Sequence, residues 1–150
     1  MDTHTYKVDV TWLGNGMGNG EAEKVGVPVF FSAPPEFGGT PGFWSPEQLL
    51  VLAANSCFMS TLMALAHHSQ LTLVGYRAQA EGRLEKVAGQ GYRMTEIVIQ
   101  PVATVLSDEG IALAQRLLEK AERVCIVANA LKVPIRVDAR VEVVEPAPVG

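Results

Sequence analysis

The sequence has few cysteines and little positive charge. Only two of its 150 residues are cysteines, Cys57 and Cys125, which are too few for a disulfide scaffold and have no metal-ligand spacing. Twelve Lys and Arg residues against 16 Asp and Glu give a net charge of −4, and no basic cluster is present, which argues against a nucleic-acid-binding protein. The N-terminus lacks the charged-then-apolar layout of a signal peptide, so we expect a cytoplasmic protein.

Apolar residues, in contrast, are plentiful. A hydrophobic content of 48% with 19% charged residues is typical of a folded globular protein. A chain of 150 residues is long enough for an ordinary core, and no internal repeat is apparent. We therefore predict a single domain over residues 1–150.

The stretch from Ser45 to His68 predicts one long helix. Ser45 and Gln48 form an S-x-x-Q capping box at its start. Pro46 fits the first helical position, where its missing N–H costs nothing, and Glu47 suits the positive end of the helix dipole. The local signals for the start of this helix therefore agree with one another.

This predicted helix is unusually apolar. Residues 49–54 are apolar on every face, so we expect the helix to be buried all round rather than to lie on a surface. Its length is near the minimum for a membrane span. The polar residues Asn55, Ser56, Ser60 and Thr61 and the lack of flanking Lys or Arg argue against that interpretation.

The rest of the chain predicts strands and a second helix. The glycine-rich segment 14–20 predicts a hairpin or flexible turn rather than a phosphate loop, since no Lys-Ser/Thr and no helix follow it. Pro28 suggests a strand edge or bulge, Pro101 a bend, and Ser107 the cap of the second helix. The predicted strands are 5–13 (half-buried), 22–32, 71–87, 92–105 and 133–144; the predicted helices are 108–123 and a short piece over 124–131; the tail 145–150 is expected to fray. This order predicts an α+β domain with antiparallel sheet wrapped around helices.

The connection over residues 33–44 carries three aromatic residues among its glycines and prolines. These are Phe37, Phe43 and Trp44. They either seal the start of the helix, with Trp44 packing onto it as a hydrophobic staple, or wall an apolar substrate pocket. Both interpretations stay open at the level of sequence.

Each cysteine lies in a distinctive segment. One is S-P-E-Q-L-L-V-L-A-A-N-S-C-F at 45–58, where a cysteine follows the glutamate by ten residues, and the other is E-R-V-C-I-V-A-N-A-L at 122–131. In these segments the chain resembles the OsmC/Ohr family, the osmotically inducible protein C and organic hydroperoxide resistance proteins. The resemblance covers most of the chain in element order. It implies an intertwined homodimer whose central helices are buried at the interface, and a thiol peroxidase activity without a bound cofactor.

The resemblance also implies roles for individual residues. Cys57 looks like the thiol that attacks the peroxide, Cys125 like the resolving thiol, and Glu47 matches the family's active-site carboxylate. Electrons would come from an external dithiol. Ohr-type proteins carry an arginine in the early glycine-rich loop, and OsmC-type proteins carry one shortly before the P-E motif. This chain has no arginine before Arg77, so it resembles a divergent branch of the family.

A peroxidatic cysteine needs support for its thiolate, because only the anion attacks the O–O bond quickly. Burial raises the pKa of a thiol, and the middle of a helix gains nothing from the helix dipole. Ser60 and Thr61 lie three and four residues after Cys57 and share its helix face, so their hydroxyls are candidate donors. The first candidate cation is Arg123, with Arg93 and Arg116 behind it and Lys24 weaker.

The spacing of Glu47 and Cys57 bears on assembly. Ten residues on one helix separate them by roughly 15 Å along the axis, so Glu47 cannot touch the thiol of its own chain. If Glu47 serves that thiol, it does so from a second subunit.

We therefore predict a homodimeric reductase of organic hydroperoxides. Its apolar lining would favour alkyl or lipid peroxides over hydrogen peroxide; the lining residues are Phe37, Phe43, Trp44, Phe58 and Met59. The alternatives are a protein of the same fold that binds a small apolar ligand, or a slow redox sensor or structural thiol pair, in both cases without efficient peroxidase activity.

Overall fold

Residues 2–144 are described by a computed structural model, in which the chain forms two units. The first unit runs to Leu50 and the second begins at Val51. The strands are β1 (Val8–Gly14), β2 (Met17–Ala22), β3 (Val29–Ser32), β4 (Leu73–Val87), β5 (Gly91–Val105), β6 (Ile135–Val137) and β7 (Arg140–Val143); the helices are α1 (Pro46–His68), α2 (Ile111–Val124) and α3 (Ile126–Ala130). The predicted α+β class is confirmed. The tail 145–150, predicted to fray, lies outside the described residues.

The first unit contains an antiparallel sheet in the order β1-β2-β3. Asn15 and Gly16 form the turn between β1 and β2, with Asn15 in the left-handed region (φ 50°), so the predicted hairpin is confirmed. The predicted strand over 22–32 is wrong in its first half. β2 starts inside the glycine run and ends at Ala22, and β3 begins only after Pro28, as an edge strand.

One face of this first sheet is apolar and open. Val10 and Trp12 of β1 lie opposite Gly20 and Gly18 of β2, so glycines form the floor between the outer strands. A Cβ on Gly18 would lie 2.4 Å from Cζ of Phe31, which shows how closely that ring covers the glycine. Val10 is 68% and Trp12 75% exposed. The predicted half-burial of β1 is therefore wrong for the single chain, and this glycine-floored face is left uncovered.

Helix α1 begins as predicted. Ser45 N–H donates to Gln48 Oε1 over 3.0 Å, and Gln48 N–H donates to Ser45 Oγ over 3.1 Å, which completes the capping box. Burial all round is wrong for the single chain. The buried residues form one stripe at a spacing of four, and these are Ala54, Phe58, Leu62 and Ala66. The length and composition of α1 would also suit a membrane span, as they do for core helices of soluble proteins.

The second unit is built on the long antiparallel hairpin of β4 and β5. Gly89 and Gly91 both have φ of +75° at its turn, and the hairpin confirms the prediction. The single predicted strand over 133–144 is wrong. It is split at Asp138 and Ala139 into β6 and β7, and both pair parallel to β5. The sheet is therefore mixed rather than wholly antiparallel.

Pro101 lies in the interior of β5. The pairing with β4 runs through Ala78 and Pro101 without a register shift, and the shifts lie elsewhere, near Gly75 and Leu84. On its other edge β5 pairs with β6 up to Ile99 and with β7 from Val102. Pro101 falls between those two ladders, where a missing N–H removes no ladder bond.

Helix α2 covers the sheet with the apolar face that its sequence predicts. The buried residues are Ala114, Leu117, Leu118 and Ala121. Ser107 does not cap it by a side-chain hydrogen bond, so that prediction is wrong. A 3₁₀ turn over Asp108–Gly110 precedes the helix instead, and the N–H of Ile111, the first residue of α2, donates to the carbonyl oxygen of Asp108. The predicted helical piece over 124–131 is shorter than expected, since Cys125 is extended and α3 starts after it.

Candidate active site

The structure brings Cys57 and Cys125 together. Cys57 lies in the middle of α1, half-buried, and Cys125 lies between α2 and α3 with no exposed surface. Both are free thiols, and Cys57 packs against the buried cluster that contains Cys125, close enough that each thiol shifts the pKa of the other. Two residues far apart in the chain therefore form one thiol pair inside the second unit.

Cys125 connects α2 and α3, as the C-cap of the first and the N-cap of the second. Its N–H donates to the carbonyl oxygen of Ala121 over 2.9 Å and ends α2, and its own carbonyl oxygen accepts from Asn129 N–H over 3.0 Å and begins α3. Its backbone is extended (φ −62°, ψ 115°), which turns the chain between the helices. The first amides of α3 are thereby placed where they can donate to a neighbouring anion.

Surroundings shift the pKa values of the two thiols in opposite directions. Burial acts to raise the pKa of the Cys57 thiol, but hydrogen bonds from the Val127 amide, the Cys125 thiol, the Thr61 hydroxyl and the Ile126 amide outweigh it, so the pKa lies below its ordinary value.

The pKa of Cys125 is raised. Burial is the largest cause, and the hydrogen bond to Cys57 and the negative charge that Cys57 carries as a thiolate add to it, against the amides of Ala128 and Val127. Cys57 is therefore the sulfur that ionises first, and Cys125 stays protonated beside it.

Of the three candidate supports for the thiolate, Thr61 reaches it. Its hydroxyl donates to the carbonyl oxygen of Cys57 over 2.8 Å, and Oγ1 lies 4.0 Å from Cys57 Sγ, so the single hydroxyl proton can turn to the sulfur when the thiol ionises. Ser60 and Arg123 are exposed, and no hydrogen bond within residues 2–144 joins either side chain to the sulfur. The amides of Ile126 and Val127 were missed by the sequence reasoning, because the predicted helical piece placed Cys125 inside the helix rather than before its first turn.

Glu47 belongs to the first unit and is partly buried. Its Oε2 is enclosed and has no hydrogen-bond partner among the described residues. A buried carboxylate oxygen without a donor is costly, so this oxygen needs a partner, such as water, that the described residues do not supply.

The predicted apolar lining divides between the two units. In the first unit, Phe37, Phe43 and Trp44 are each between 38% and 47% exposed. The carbonyl oxygen of Trp44 accepts from Ser32 N–H over 2.8 Å, which ties the segment before α1 to β3. In the second unit, Met59 is 41% exposed, whereas Phe58 is 1% exposed and belongs to the core.

The sequence of this region matches a family model. The model of the OsmC-like protein family covers residues 39–140, a stretch that includes α1 and both cysteines. The chain belongs to the OsmC-like protein family. Its two thiols and the helix that carries Cys57 thus stand within the part that the family shares.

Relatives of this OsmC-like chain extend over nearly its whole length. The uncharacterized protein YmaD of Bacillus subtilis is 26% identical over 147 residues, 95% of this chain and 97% of the relative. An OsmC-like protein of unknown function from Vibrio cholerae has a TM-score of 0.78 at 20% identity, covering 95% of this chain and 100% of that one. An organic hydroperoxide resistance protein OsmC from Legionella pneumophila has a TM-score of 0.74 at 23% identity, covering 95% and 99%. These structures establish the OsmC-like fold.

In this OsmC-like protein, neutral donors surround the sulfur of Cys57. No arginine precedes Arg77 in the chain, and the hydrogen bonds that lower the pKa of Cys57 come from backbone amides, a hydroxyl and a thiol. Hydrogen bonds to an anion stabilise it without a formal charge nearby.

Replacing Thr61 by valine tests this hydroxyl. Valine keeps the shape of threonine but cannot donate, so we expect the pKa of Cys57 to rise and its alkylation by iodoacetamide at neutral pH to slow by roughly two- to tenfold, the worth of one hydrogen bond. Because the lowered pKa keeps the thiolate present below the ordinary titration range of a thiol, the alkylation rate should climb with pH to a plateau. The midpoint of that climb should lie at higher pH in the variant.

Two further variants control this measurement. Ser60→Ala removes a neighbouring hydroxyl that is exposed, so its pH profile should match the wild type. Thr61→Ser should restore much of the wild-type midpoint, since it returns the donor. Identical midpoints for Thr61→Val and the wild type would show that Thr61 does not act on the sulfur.

Proposed function

We propose that this protein is a peroxidase that reduces organic hydroperoxides, with Cys57 as the attacking and Cys125 as the resolving thiol. The observation that carries the proposal is that two free thiols distant in sequence lie in one cluster, with surroundings that shift their pKa values in opposite directions. The lowered pKa of Cys57 supplies the nucleophilic thiolate, and the raised pKa of Cys125 keeps that residue a protonated thiol beside it.

The reaction follows in two steps. The Cys57 thiolate attacks one peroxide oxygen, so that an S–O bond forms, the O–O bond breaks, and the leaving alkoxide takes a proton to become an alcohol. The sulfenic acid left on Cys57 then condenses with the Cys125 thiol, which forms an S–S bond and releases water. Amides of Ile126 and Val127 and the hydroxyl of Thr61 stabilise the charge on Cys57 before attack.

Apolar peroxides are the proposed substrates. Each unit exposes large apolar side chains in its part of the predicted lining, Phe37, Phe43 and Trp44 in one and Met59 in the other. Such side chains favour alkyl or lipid hydroperoxides over hydrogen peroxide. An external dithiol would return the protein to its reduced state, and no bound cofactor is required.

A homodimer is the proposed assembly, in the cytoplasm. The glycine-floored face of the first sheet leaves Val8, Val10 and Trp12 between 68% and 75% exposed, and α1 is buried along one stripe only. Apolar faces of this kind need cover, and a second copy of the chain supplies it. Oε2 of Glu47 has no hydrogen-bond partner among the described residues, which fits a donor on that second copy, such as its Cys57 thiol.

Thiol titration tests the activity. Adding cumene hydroperoxide to the reduced protein should consume two thiols for each peroxide, and dithiothreitol should sustain turnover. Hydrogen peroxide should react more slowly at equal concentration.

The missing arginine favours a second candidate, binding of a small apolar ligand on the same fold. Unchanged thiols together with retained binding of an apolar ligand would support that candidate against the peroxidase. Slow oxidation that does not turn over with dithiothreitol would point to a redox sensor.

A further inference from the structure

A broad concavity lies on the outer face of the mixed sheet, in the second unit. Ile99 and Ala103 of β5 belong to the core. Since successive residues of a strand point to opposite faces, Gln100 and Val102 lie on the outer face, and both line the concavity. Its volume is about 700 Å³. The other lining residues are Arg77, Ala78 and Gln79 of β4, Asp138 and Ala139 at the break between β6 and β7, and Arg140 of β7. Neither thiol lines it.

The strand register places one arginine on each side of Val102. Arg77 of β4 and Arg140 of β7 both lie opposite this valine. Neighbouring strands are about 4.8 Å apart, so the Cα atoms of the two arginines are about 10 Å apart. Val102 is only 5% exposed although it lies on the outer face, which shows that longer side chains cover it. Two guanidinium groups can therefore contact one ligand from opposite sides.

The guanidinium of Arg77 already holds a carboxylate. Its Nη2 donates to Oε1 of Glu142 over 3.2 Å and its Nη1 to Oε2 over 3.4 Å, the bidentate geometry in which arginine recognises carboxylate and phosphate groups. The two side chains are 64% and 44% exposed, and an ion pair exposed to this extent contributes little to stability. An incoming anion can therefore replace Glu142 on Arg77 at little cost.

Arg140 has no partner within residues 2–144, where neither an ion pair nor a hydrogen bond involves its guanidinium. The carboxylate that lines the concavity, that of Asp138, accepts a hydrogen bond from Nη1 of Arg136 over 2.6 Å. The lining residues therefore carry two positive charges against one negative charge, and that negative charge is paired with an arginine outside the lining. Such a charge distribution attracts an anion.

We propose that this concavity binds a small phosphate monoester, whose phosphate group lies between Arg77 and Arg140. A phosphate group has about two negative charges and three free oxygens, so it can accept hydrogen bonds from two guanidinium groups at once. The amides of Gln79 and Gln100 lie opposite each other in the next row of the sheet and can bind hydroxyl groups of the ester. The volume is within the range of small-molecule sites. Because neither thiol lines the concavity, this site does not depend on the proposed peroxidase activity.

Isothermal titration calorimetry with glycerol 3-phosphate in a buffer of low salt tests the site. We expect saturable binding at one site per chain and no binding of glycerol. Arg140→Gln should weaken the binding at least about tenfold, the loss expected for a charge-assisted hydrogen-bond pair. Arg116→Gln removes the same charge from an exposed position of α2 outside the concavity, and it should leave the affinity within about twofold. Absence of saturable binding to the wild type, or equal losses in the two variants, would overturn the proposal.

A variant that gains affinity separates the proposal from a loss of folding. Glu142→Gln removes the carboxylate that competes for Arg77, so it should tighten the binding of glycerol 3-phosphate roughly two- to fivefold, the worth of an exposed ion pair. Glu23→Gln makes the same change of charge at an exposed position of the first unit and should leave the affinity unchanged. Equal affinities of the two variants would show that only net charge matters and would overturn the site.

Discussion

Replacing Cys57 by serine should lower the rate of peroxide reduction by at least about 1,000-fold, or ~4 kcal/mol in activation free energy. The serine hydroxyl does not ionise near neutral pH, so the amides of Ile126 and Val127 lose the anion that they stabilise. Cys125 cannot replace Cys57, because it is wholly buried and its pKa is raised. The measurement is peroxide consumption with dithiothreitol as the reductant.

Cys125→Ser provides the matched control. It keeps the attacking thiol, so one equivalent of peroxide should still be consumed, and the sulfenic acid on Cys57 should persist long enough to be trapped with dimedone. Equal peroxide consumption by Cys57→Ser and the wild type would remove Cys57 from the mechanism. Immediate loss of the Cys57 thiol without a dimedone adduct in Cys125→Ser would contradict resolution by Cys125.

Replacing Val10 by lysine should weaken the proposed homodimer by at least about 100-fold, or ~3 kcal/mol, because an unpaired charge would be buried against the partner. Val10 lies at the centre of the glycine-floored face, opposite Gly20, and is 68% exposed in the single chain. Gly20 has no side chain that could separate the lysine ammonium from the partner. The measurement is sedimentation equilibrium over a range of protein concentrations.

The neighbouring residue supplies a control with the same change in charge. Thr11 is exposed and lies on the opposite face of the same strand, opposite Asn19, so Thr11→Lys should leave the association constant within about threefold. Equal association of the two variants would show that the glycine-floored face is not the interface. A wild-type protein that is monomeric at all concentrations would rule out the homodimer itself.

Signals that act over a few residues predicted much of this fold. The capping box of Ser45 and Gln48 predicted where α1 begins. The glycines around residue 90 predicted the turn of the long hairpin. The apolar face of α2 followed from its helical period. Each of these features depends on residues close to one another in the sequence, so each could be predicted from the sequence of this chain alone.

Features that depend on distant partners were not predictable in this way. The extent of burial of α1 and β1 depends on what covers them, and an apolar pattern records only that cover is needed. The parallel pairing of β6 and β7 depends on where β5 lies beside them. At the candidate site, residue types identified Cys57, Cys125 and Thr61, whereas the amides of Ile126 and Val127 carry no side-chain signature.

The separation of the two thiols along the chain links oxidation to conformational stability. A disulfide between Cys57 and Cys125 closes a large ring that contains the β4–β5 hairpin and α2. In the chain-entropy account, a cross-link over a ring of this size removes disorder from the unfolded chain worth about 4 kcal/mol. Oxidised protein should then resist denaturant more than reduced protein. By the same thermodynamic cycle, the folded chain retains its disulfide against reductants more strongly than the unfolded chain, so the redox potential of the pair is partly a property of the whole fold.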